Sequence, residues 1–456
     1  MTPLLKTLAR SLQQFSLAGG LLLSALLLLS SCHSSRRLER KAHKELRQLM
    51  TESEVFAQGF TGLALYDPQQ QKWLYQQNSD KYFTPASNTK ILTLYTALEL
   101  LGDRLPALRY SHLGDTLLFW GTGDPTLWHP QLPADSTVEQ LLKNHPGPLY
   151  YSASNVQEAH FGPGWAWDDY YFAFQTERSA MPLYSNRVRF VWEAGQKEPR
   201  VEPPYFAKHL KYEERGEERV RVWRHLDRNA FTWVGRPEGG EVRRGLPFRY
   251  SDSLLVRLLG ERLEREVGLW EKPIDSSWVK KTLYSLPVDT VYRRVMHQSD
   301  NFLAEQVLMM CSEALFDTID VSRLIDTVQN QRMPGLPDRL RWVDGSGLSR
   351  YNLFTPRAIV HVLDLLRQKH SQERLFDLFA AGGQSGTIRK WYAGPEGPIV
   401  YAKTGTMSNK HCLSGYLIGR SGRVLIFSFM HNNYPKYSRP YKEEMQGILL
   451  KIHAWY

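Results

Sequence analysis

Two patterns of hydrophobic and polar positions alternate along this chain and predict its organisation. Near the start, strand-forming runs at residues 61–66 and 73–76 are separated by turn-forming residues. Apolar side chains spaced three and four residues apart then predict a helix over 87–101, and Gly102 provides its stop. Between about 106 and 250 the pattern changes to short aromatic-rich strands with Pro, Gly and Asn breaks.

Helical periodicity returns after about residue 250, which indicates that a second module interrupts a first one. The chain closes with a strand pair at about 413–418 and 424–430 and with a helix from about 441 to 456. With 456 residues, the chain has room for more than one domain. We therefore expect an α/β (α+β) protein whose main domain, residues 33–105 and 251–456, is interrupted by a β-rich domain at 106–250.

The tetrapeptide from Ser87 to Lys90 is the first candidate for chemistry. Residues three apart on a helix share a face, so the Lys90 amine is expected beside the Ser87 hydroxyl. A buried lysine that has lost its proton can serve as the base that activates a serine hydroxyl. A second Ser-x-x-Lys match, from Ser277 to Lys280, sits among charged and polar residues and is typical of a solvated helix start.

Two further short motifs carry polar groups suited to the same chemistry. Ser299 and Asn301 supply a hydroxyl that can relay a proton and an amide that can hold a carbonyl, although an ordinary helix cap is the alternative. Lys403 and Thr404 follow a strand-forming run, and Gly405 permits close approach of a ligand backbone. Lys403 then offers a cation for a terminal carboxylate; a strand end with a solvated lysine is the alternative.

In this order, the three motifs resemble those of penicillin-binding proteins and serine β-lactamases. Longer strings extend the resemblance from about residue 50 to the C-terminus; they are residues 85–90, 123–127, 162–169, 344–350 and 403–406. The chain resembles the class C low-molecular-mass penicillin-binding proteins, the D-alanyl-D-alanine carboxypeptidase/endopeptidase family. This resemblance implies a penicillin-binding-protein/serine β-lactamase-like transpeptidase fold with a β-rich inserted domain, and peptidoglycan stem peptides as substrates.

The resemblance also implies a role for each motif residue. Ser87 would attack a D-Ala-D-Ala carbonyl with Lys90 as its base, and water would later release the acyl group. Ser299 would return a proton to the leaving amine, and Asn301 would hold the peptide. By the same resemblance, the backbone amides of Ser87 and Thr406 would form the oxyanion hole.

Substrate recognition is expected from residues around these motifs. Lys403 and Thr404, with the hydroxyl of Thr406 beside them, would bind the substrate carboxylate. By motif position, Asp169 and Arg350 would recognise the stem-peptide side chain; a packed corner and a surface ion pair are the alternatives for these two. β-Lactam antibiotics carry the same amide and carboxylate, so they are expected to acylate the same serine and to leave slowly.

Two other functions fit parts of the same sequence. A non-catalytic lipoprotein could use this cleft to bind peptidoglycan as a scaffold, because a fold alone does not establish activity. A β-lactamase or esterase on the same fold would need a base that activates the deacylating water, and no glutamate of the sequence can be assigned to that task.

Composition narrows the choice of partners. The net charge of +10 is spread along the chain without a basic stripe interleaved with aromatic residues, which disfavours a nucleic-acid partner. The 14 histidines show no metal-binding spacing, so we expect neither a metal nor a cofactor. Cys311 and Cys412 follow apolar patterns and are expected as buried thiols, although a bridge between them is possible.

The first 32 residues have the layout of an export signal. Lys6 and Arg10 precede a leucine-rich run at about 15–29, which is short for a membrane span. The run ends in Leu-Ser-Ser before Cys32, which resembles a bacterial lipobox with an acylated cysteine. We therefore expect an exported lipoprotein that is attached to a membrane by a lipid anchor and faces the periplasm or cell envelope. An uncleaved anchor or an ordinary signal peptide with an incidental cysteine is the alternative.

Overall fold

The structure is a computed structural model that describes residues 38–237, 239–435 and 437–456. The expected signal peptide, 1–32, and its lipidation candidate Cys32 lie outside the described residues. Within the described part of the chain, the helices are too short or too polar to span a bilayer.

The described helices are α1 (38–52), α2 (Lys90–Leu100), α3 (Thr137–Asn144), α4 (Asp252–Leu263), α5 (Val288–His297), α6 (Asn301–Phe316), α7 (Val321–Gln331), α8 (Pro356–Lys369), α9 (Gln372–Leu378) and α10 (Arg439–Trp455). The described strands are β1 (Phe60–Asp67), β2 (Lys72–Gln77), β3 (Arg104–Leu113), β4 (Thr116–Gly121), β5 (Leu149–Tyr151), β6 (Arg187–Trp192), β7 (Arg200–Glu202), β8 (Leu210–Tyr212), β9 (Arg221–Arg224), β10 (Phe231–Val234), β11 (Val242–Pro247), β12 (Gly268–Leu269), β13 (Lys281–Pro287), β14 (Ala380–Ala381), β15 (Val400–Met407), β16 (Lys410–Ile418) and β17 (Val424–Asn432).

A six-stranded sheet forms the centre of the main domain, with the strand order β14-β15-β16-β17-β1-β2. Its strands come from both ends of the described chain, and β1 pairs antiparallel with β17 in the register Leu63 to Phe429. Alternate side chains of β1 enter different cores, because successive residues of a strand point to opposite faces. Ala64 packs with α2, α6 and α8 on one face, whereas Leu63 and Leu65 pack with α1 and α10 on the other.

The inserted unit has its own core and its own sheets. A five-stranded sheet with the order β12-β5-β4-β3-β13 lies beside two three-stranded sheets, β8-β10-β9 and β11-β6-β7. The buried core of this unit is rich in aromatic residues, including Phe119, Phe190 and Trp192. The expected β-rich insertion is therefore present.

The C-terminal boundary of this unit differs from the expectation of residue 250. Helix α4 buries Leu255 and Leu258 in the core of the inserted unit, and β13 pairs with β3 at its edge. We propose that the unit spans about 104–287. Helical periodicity after residue 250 showed correctly that a helix begins, but periodicity does not show against which core a helix packs.

The two cysteines of the described chain are buried free thiols. Cys311 lies in the middle of α6, and Cys412 lies on β16. Burial raises the pKa of both thiols well above the ordinary value. Each therefore behaves as a small apolar core residue.

Candidate active site

Ser87 lies on the short 3-10 turn Ala86–Thr89, which leads directly into α2. The turn is forced against strand β15: a Cβ on Gly405 would lie 2.3 Å from the Pro85 carbonyl oxygen and 3.1 Å from the Ser87 nitrogen. Only glycine tolerates such an approach. Ser87 itself stays partly exposed, so its hydroxyl is accessible next to a strand edge.

Lys90 lies one turn after Ser87 and is completely buried. Its Nζ lies 2.9 Å from Ser87 Oγ, 2.7 Å from Asn301 Oδ1 and 2.6 Å from the Ser346 carbonyl oxygen. The last two atoms can only accept hydrogen bonds, so they take the two N–H groups of a neutral amine. The lone pair of that amine is then directed at the Ser87 hydroxyl.

The charge on Lys90 is governed by burial and by three carboxylates. Burial lowers the pKa of Lys90 to about 8, and Asp344, Glu305 and Asp300 oppose this decrease. A lysine with a pKa near 8 has a substantial neutral fraction close to neutrality, which a proton acceptor requires.

The segment 299–301 lies at the junction of α5 and α6, and its side chains contact different parts of the cleft. Asp300 caps α6 by accepting a hydrogen bond from the Leu303 amide at 3.1 Å, so the helix-cap interpretation holds for this residue. Ser299 has a positive φ of 58°. Its hydroxyl lies 2.9 Å from Lys403 Nζ, whereas the Asn301 amide group donates to the Phe174 carbonyl at 3.0 Å.

Strand β15 places Lys403, Thr404 and Thr406 along the same cleft. Lys403 is fully buried and donates to Ser299 Oγ and, at 2.8 Å, to the Thr404 carbonyl. Burial lowers the pKa of Lys403 well below the ordinary value, and the nearby Lys90 adds to the decrease. Thr406 Oγ1 lies 2.9 Å from Nδ1 of His411, whose pKa burial lowers to about 3.

Two cavities meet at Ser87 and Ser299. The larger, of about 600 Å³, is lined by polar groups of both units, including Asp169, Arg350 and Asn301. The smaller, of about 330 Å³, extends past Thr404 and Thr406 toward α10, where its wall includes Trp391 and Lys442. The cleft thus provides space on both sides of the serine.

The structure gathers the sequence-predicted site residues around one cleft. Ser87, Ser299, Asn301, Thr406, Asp169 and Arg350 line the larger cavity, Thr404 lines the smaller one, and Lys90 and Lys403 lie beneath the surface. Burial raises the pKa of Asp169, and Arg350 opposes this change.

The other Ser-x-x-Lys match has a different environment. Ser277 is exposed and donates a hydrogen bond to Asp275 Oδ1 at 2.7 Å. Lys280 forms an ion pair with Asp317 at 3.3 Å. The residues around Ser277 form a turn, not a helix, so its hydroxyl and the lysine do not meet there.

Sequence reasoning missed the residues that support the cleft from behind. Asn88 bridges the serine turn to the sheet, since its amide group donates to the Lys403 carbonyl at 2.7 Å and accepts from Ser414 at 2.6 Å. Glu305 accepts from the Ser346 amide at 2.7 Å. A signal for Glu305 was available, because it lies four residues after Asn301 and therefore on the same face of α6.

Asp344 is a further buried support of the site. Its two oxygens accept hydrogen bonds from the amides of Gly347 and Ser349 at 2.9 and 2.6 Å. They also accept from Asn352 at 2.7 Å and from the Trp165 indole of the inserted unit at 2.9 Å. This carboxylate fixes the loop that carries the Ser346 carbonyl beside Lys90.

A helix-flanked sheet that presents a serine, a buried lysine of lowered pKa and a second serine–lysine pair defines the class of penicillin-recognising serine acyl-transfer enzymes. Comparison with known families gives the same answer more narrowly. Residues 42–452 match the D-Ala-D-Ala carboxypeptidase 3 (S13) family, and this chain belongs to that family.

Individual relatives agree with this assignment. The chain is 24% identical over 398 residues to the D-alanyl-D-alanine carboxypeptidase DacB of Haemophilus influenzae, covering 78% of this chain and 82% of the relative. It is 26% identical over 431 residues to the D-alanyl-D-alanine carboxypeptidase of an Actinomadura species, covering 82% and 78%. The predicted family and enzyme class are thereby confirmed.

Solved structures show the same fold. The crystal structure of penicillin binding protein 4 (dacB) from Haemophilus influenzae matches with a TM-score of 0.71 and 20% identity over 90% of this chain and 99% of that chain. The same protein complexed with a β-lactam matches with a TM-score of 0.64 and 19% identity, covering 88% and 98%. The predicted fold class is confirmed.

Proposed function

We propose that this protein is a serine D-alanyl-D-alanine carboxypeptidase/endopeptidase that cleaves peptidoglycan stem peptides through an acyl-enzyme on Ser87. The observation that carries the proposal is the arrangement of Lys90. Two pure acceptors, Asn301 Oδ1 and the Ser346 carbonyl, take its N–H groups and leave its lone pair for the Ser87 hydroxyl at 2.9 Å.

Acylation follows from this arrangement. Lys90 takes the Ser87 proton as the serine oxygen attacks the carbonyl of the D-Ala-D-Ala bond. The amides of Ser87 and Thr406 stabilise the oxyanion, a contribution of several kcal/mol when such donors are preorganised. Ser299 gives its proton to the leaving amine and regains the proton that Lys90 took from Ser87, so that Lys90 is neutral again. Water then cleaves the ester, which releases the shortened peptide and restores the Ser87 hydroxyl.

Substrate binding uses the cations and hydroxyls of the cleft. Lys403 makes two hydrogen bonds within the protein, so its protonated form has a third N–H for the carboxylate of the terminal D-alanine. The Thr404 hydroxyl, 2.7 Å from that of Thr387, lies beside it. In the larger cavity, Asp169 and Arg350 present opposite charges to a zwitterionic stem-peptide side chain.

β-Lactams enter the same mechanism as inhibitors. Their ring amide occupies the place of the scissile bond, and their carboxylate occupies the place of the substrate carboxylate. Ring opening by Ser87 leaves an ester whose amine stays tethered, so it blocks the approach of water. We therefore expect a slowly hydrolysed adduct.

The cellular setting of the proposal rests on the sequence. The signal-like segment that ends at Cys32 supports an exported lipoprotein of the cell envelope, where peptidoglycan is present. Labelling with a radioactive fatty acid tests this assignment. Loss of label in the Cys32→Ser variant is expected, and retained label would refute lipidation at this cysteine.

Mass spectrometry of the protein without residues 1–32, after incubation with benzylpenicillin, tests the function. We expect a persistent adduct on the Ser87 peptide that is absent in Ser87→Ala. Ser277→Ala is the matched control and should keep the adduct. No adduct with intact drug would favour the scaffold, and no adduct with hydrolysed drug would favour a β-lactamase.

Charge reversal tests the roles of Asp169 and Arg350. We expect Arg350→Glu to weaken cleavage of peptides with a zwitterionic diamino-acid side chain by about 3- to 10-fold, since the site is partly exposed. Peptides with an uncharged side chain at that position serve as the control. Equal losses on both peptides would remove Arg350 from side-chain recognition.

A further inference from the structure

A chain of buried polar groups connects Lys90 to the inserted unit. Lys90 Nζ donates to the Ser346 carbonyl at 2.6 Å, and the amide of the same residue donates to Glu305 Oε1 at 2.7 Å. The other oxygen of Glu305 pairs with Arg178 at 3.2 Å. Glu305 is 1% exposed and Arg178 is 2% exposed, so solvent does not interrupt the chain.

We propose that Glu305 is a positioning residue for Ser87 acylation, which fixes the Ser346 peptide group beside Lys90 and is itself held by Arg178 of the inserted unit. The inference rests on the proposed function and extends it by giving the inserted unit a part in controlling the catalytic lysine. Glu305 does not touch the substrate cavity, so it acts through Ser346.

The geometry gives Glu305 two separable effects. Its oxygen orients the Ser346 peptide group, whose carbonyl holds one N–H of Lys90. Its negative charge also favours the protonated lysine, together with Asp344 and Asp300. The neighbouring cation is Lys403, whose own pKa is lowered by burial and by Lys90. A substitution that keeps the acceptor oxygen but removes the charge distinguishes the two effects.

Arg178 is placed to keep Glu305 charged. Burial and the neighbouring Asp344 raise the pKa of Glu305 to about 7, and Arg178 opposes the rise. Arg178 is held in turn by Glu158 at 3.0 Å and by the Ala159 carbonyl at 3.0 Å, both in the inserted unit. Without this arginine, Glu305 would be protonated over a wider pH range.

The test is the pH profile of Ser87 acylation by benzylpenicillin, followed by intact-protein mass. In the wild type, the rate should rise with pH as Lys90 loses its proton, with a midpoint near its pKa of about 8. In Glu305→Gln the midpoint should move to lower pH by up to about one unit, because a charge that favours protonated lysine is gone. The plateau should stay within about 3-fold of the wild type, because the glutamine oxygen still accepts from Ser346.

Two more variants test separately the hydrogen bond between Glu305 and the Ser346 amide and the effect of Arg178 on Glu305. Glu305→Ala leaves the Ser346 amide without a partner, so the plateau should fall about 10-fold or more while the midpoint also moves down. Arg178→Gln should move the midpoint in the same direction as Glu305→Gln. A midpoint in Arg178→Gln that moves to higher pH would overturn the role of the arginine.

Glu313→Gln is the matched control. Glu313 lies on the same helix eight residues further on, about 12 Å along the axis. It is also buried, has its pKa raised to about 7, and pairs with an arginine of the inserted unit, Arg109, at 2.7 Å. We expect Glu313→Gln to lower stability but to leave the midpoint unchanged. Equal midpoints in wild type and Glu305→Gln, or equal shifts in both glutamine variants, would overturn the proposal.

A double-mutant cycle gives a readout that does not depend on acylation. Unfolding free energies of wild type, Glu305→Gln, Lys90→Met and the double variant at pH 7.5 should reveal a coupling between the two positions. Zero coupling would refute the link even if benzylpenicillin failed to react. A non-zero coupling energy in this cycle, together with a wild type that benzylpenicillin does not acylate, would instead refute the proposed function.

Discussion

The two buried lysines of the cleft lie in opposite surroundings. Lys90 is placed near Asp344, Glu305 and Asp300, which offset part of the cost of its burial. Lys403 contacts a serine hydroxyl and a backbone carbonyl, and among the residues that the structure describes no carboxylate forms an ion pair with it. Both side chains are fully buried, so the two lysines differ in the charged groups around them and not in their exposure to solvent.

This difference supports the different tasks that we propose for the two lysines. The protein itself supplies the counter-charge of Lys90, which keeps its pKa near 8 and within reach of proton transfer at neutral pH. Among the described residues no carboxylate pairs with Lys403, which is consistent with the proposal that an anionic substrate group is its partner. We propose accordingly that Lys90 exchanges a proton and that Lys403 binds a carboxylate.

The largest expected effect comes from removing the amine that exchanges the proton. Lys90→Met keeps the length of the side chain but has no lone pair suited to take the Ser87 proton, so acylation by benzylpenicillin should fall about 10²–10⁴-fold. The rate that remains should no longer follow the rise with pH centred near 8. Acylation of Lys90→Met at the wild-type rate would contradict the proposal that Lys90, unlike Lys403, accepts the Ser87 proton.

Lys403→Met should have a smaller effect, and one that depends on the ligand. Loss of a hydrogen bond to a charged group costs about 1.5–3 kcal/mol, which is roughly 10–100-fold in the acylation rate constant of benzylpenicillin. The methyl ester of benzylpenicillin lacks the carboxylate and is the control ligand. Its acylation rate should change little, and equal losses for acid and ester would contradict carboxylate binding by Lys403.

Asn88, which joins the serine turn to strands β15 and β16, should contribute to the stability of the protein. Asn88→Ala removes the side-chain partner of the buried Lys403 carbonyl and one of two partners of the buried Ser414 hydroxyl, at a cost of about 1–3 kcal/mol in the free energy of unfolding. Urea denaturation measures this change. Ser277→Ala, an exposed position, serves as the control, and an equal, small change in both variants would mean that the bridge contributes nothing.

The smallest expected effect is the uptake of at most one proton per site when a carboxylate ligand binds. Since burial lowers the pKa of Lys403, a carboxylate bound beside it should raise that pKa, and complex formation should take up protons. Calorimetry of benzylpenicillin binding to Ser87→Ala, in two buffers that differ in ionisation enthalpy, measures the uptake. We expect up to one proton per site near neutral pH, and none in Ser87→Ala combined with Lys403→Met. Proton release in the first variant would show that the sign is wrong.

Part of the site could be read directly from neighbouring residues. The serine and lysine of the first motif meet because helical spacing places residues three apart on one face, and this needs no distant contact. The strands around 61–66 and 413–430 and the final helix were predicted from local patterns close to their observed bounds. The three motifs, together with the longer strings between residues 85 and 406, were enough to identify the family.

Other features lay beyond local patterns because they depend on which segments pack together. The helix after residue 250 was correctly expected as a helix, but only its buried leucines show that it belongs to the core of the inserted unit. The supports behind Lys90, namely Glu305, Asp344 and Arg178, come from segments about 90 to 250 residues away in the chain. No local pattern links an arginine of one unit to a glutamate of another.

Residue types and their spacing are sufficient to specify the reactive groups, their local pairing and the class of chemistry. The properties of those groups depend on how the chain packs, because the pKa of a lysine depends on burial and on every charge that the fold brings near it. Lys90 and Lys403 are the same residue in the sequence. The fold places carboxylates near Lys90, and among the described residues Lys403 contacts a hydroxyl and a backbone carbonyl; this difference supports the different roles that we propose for them.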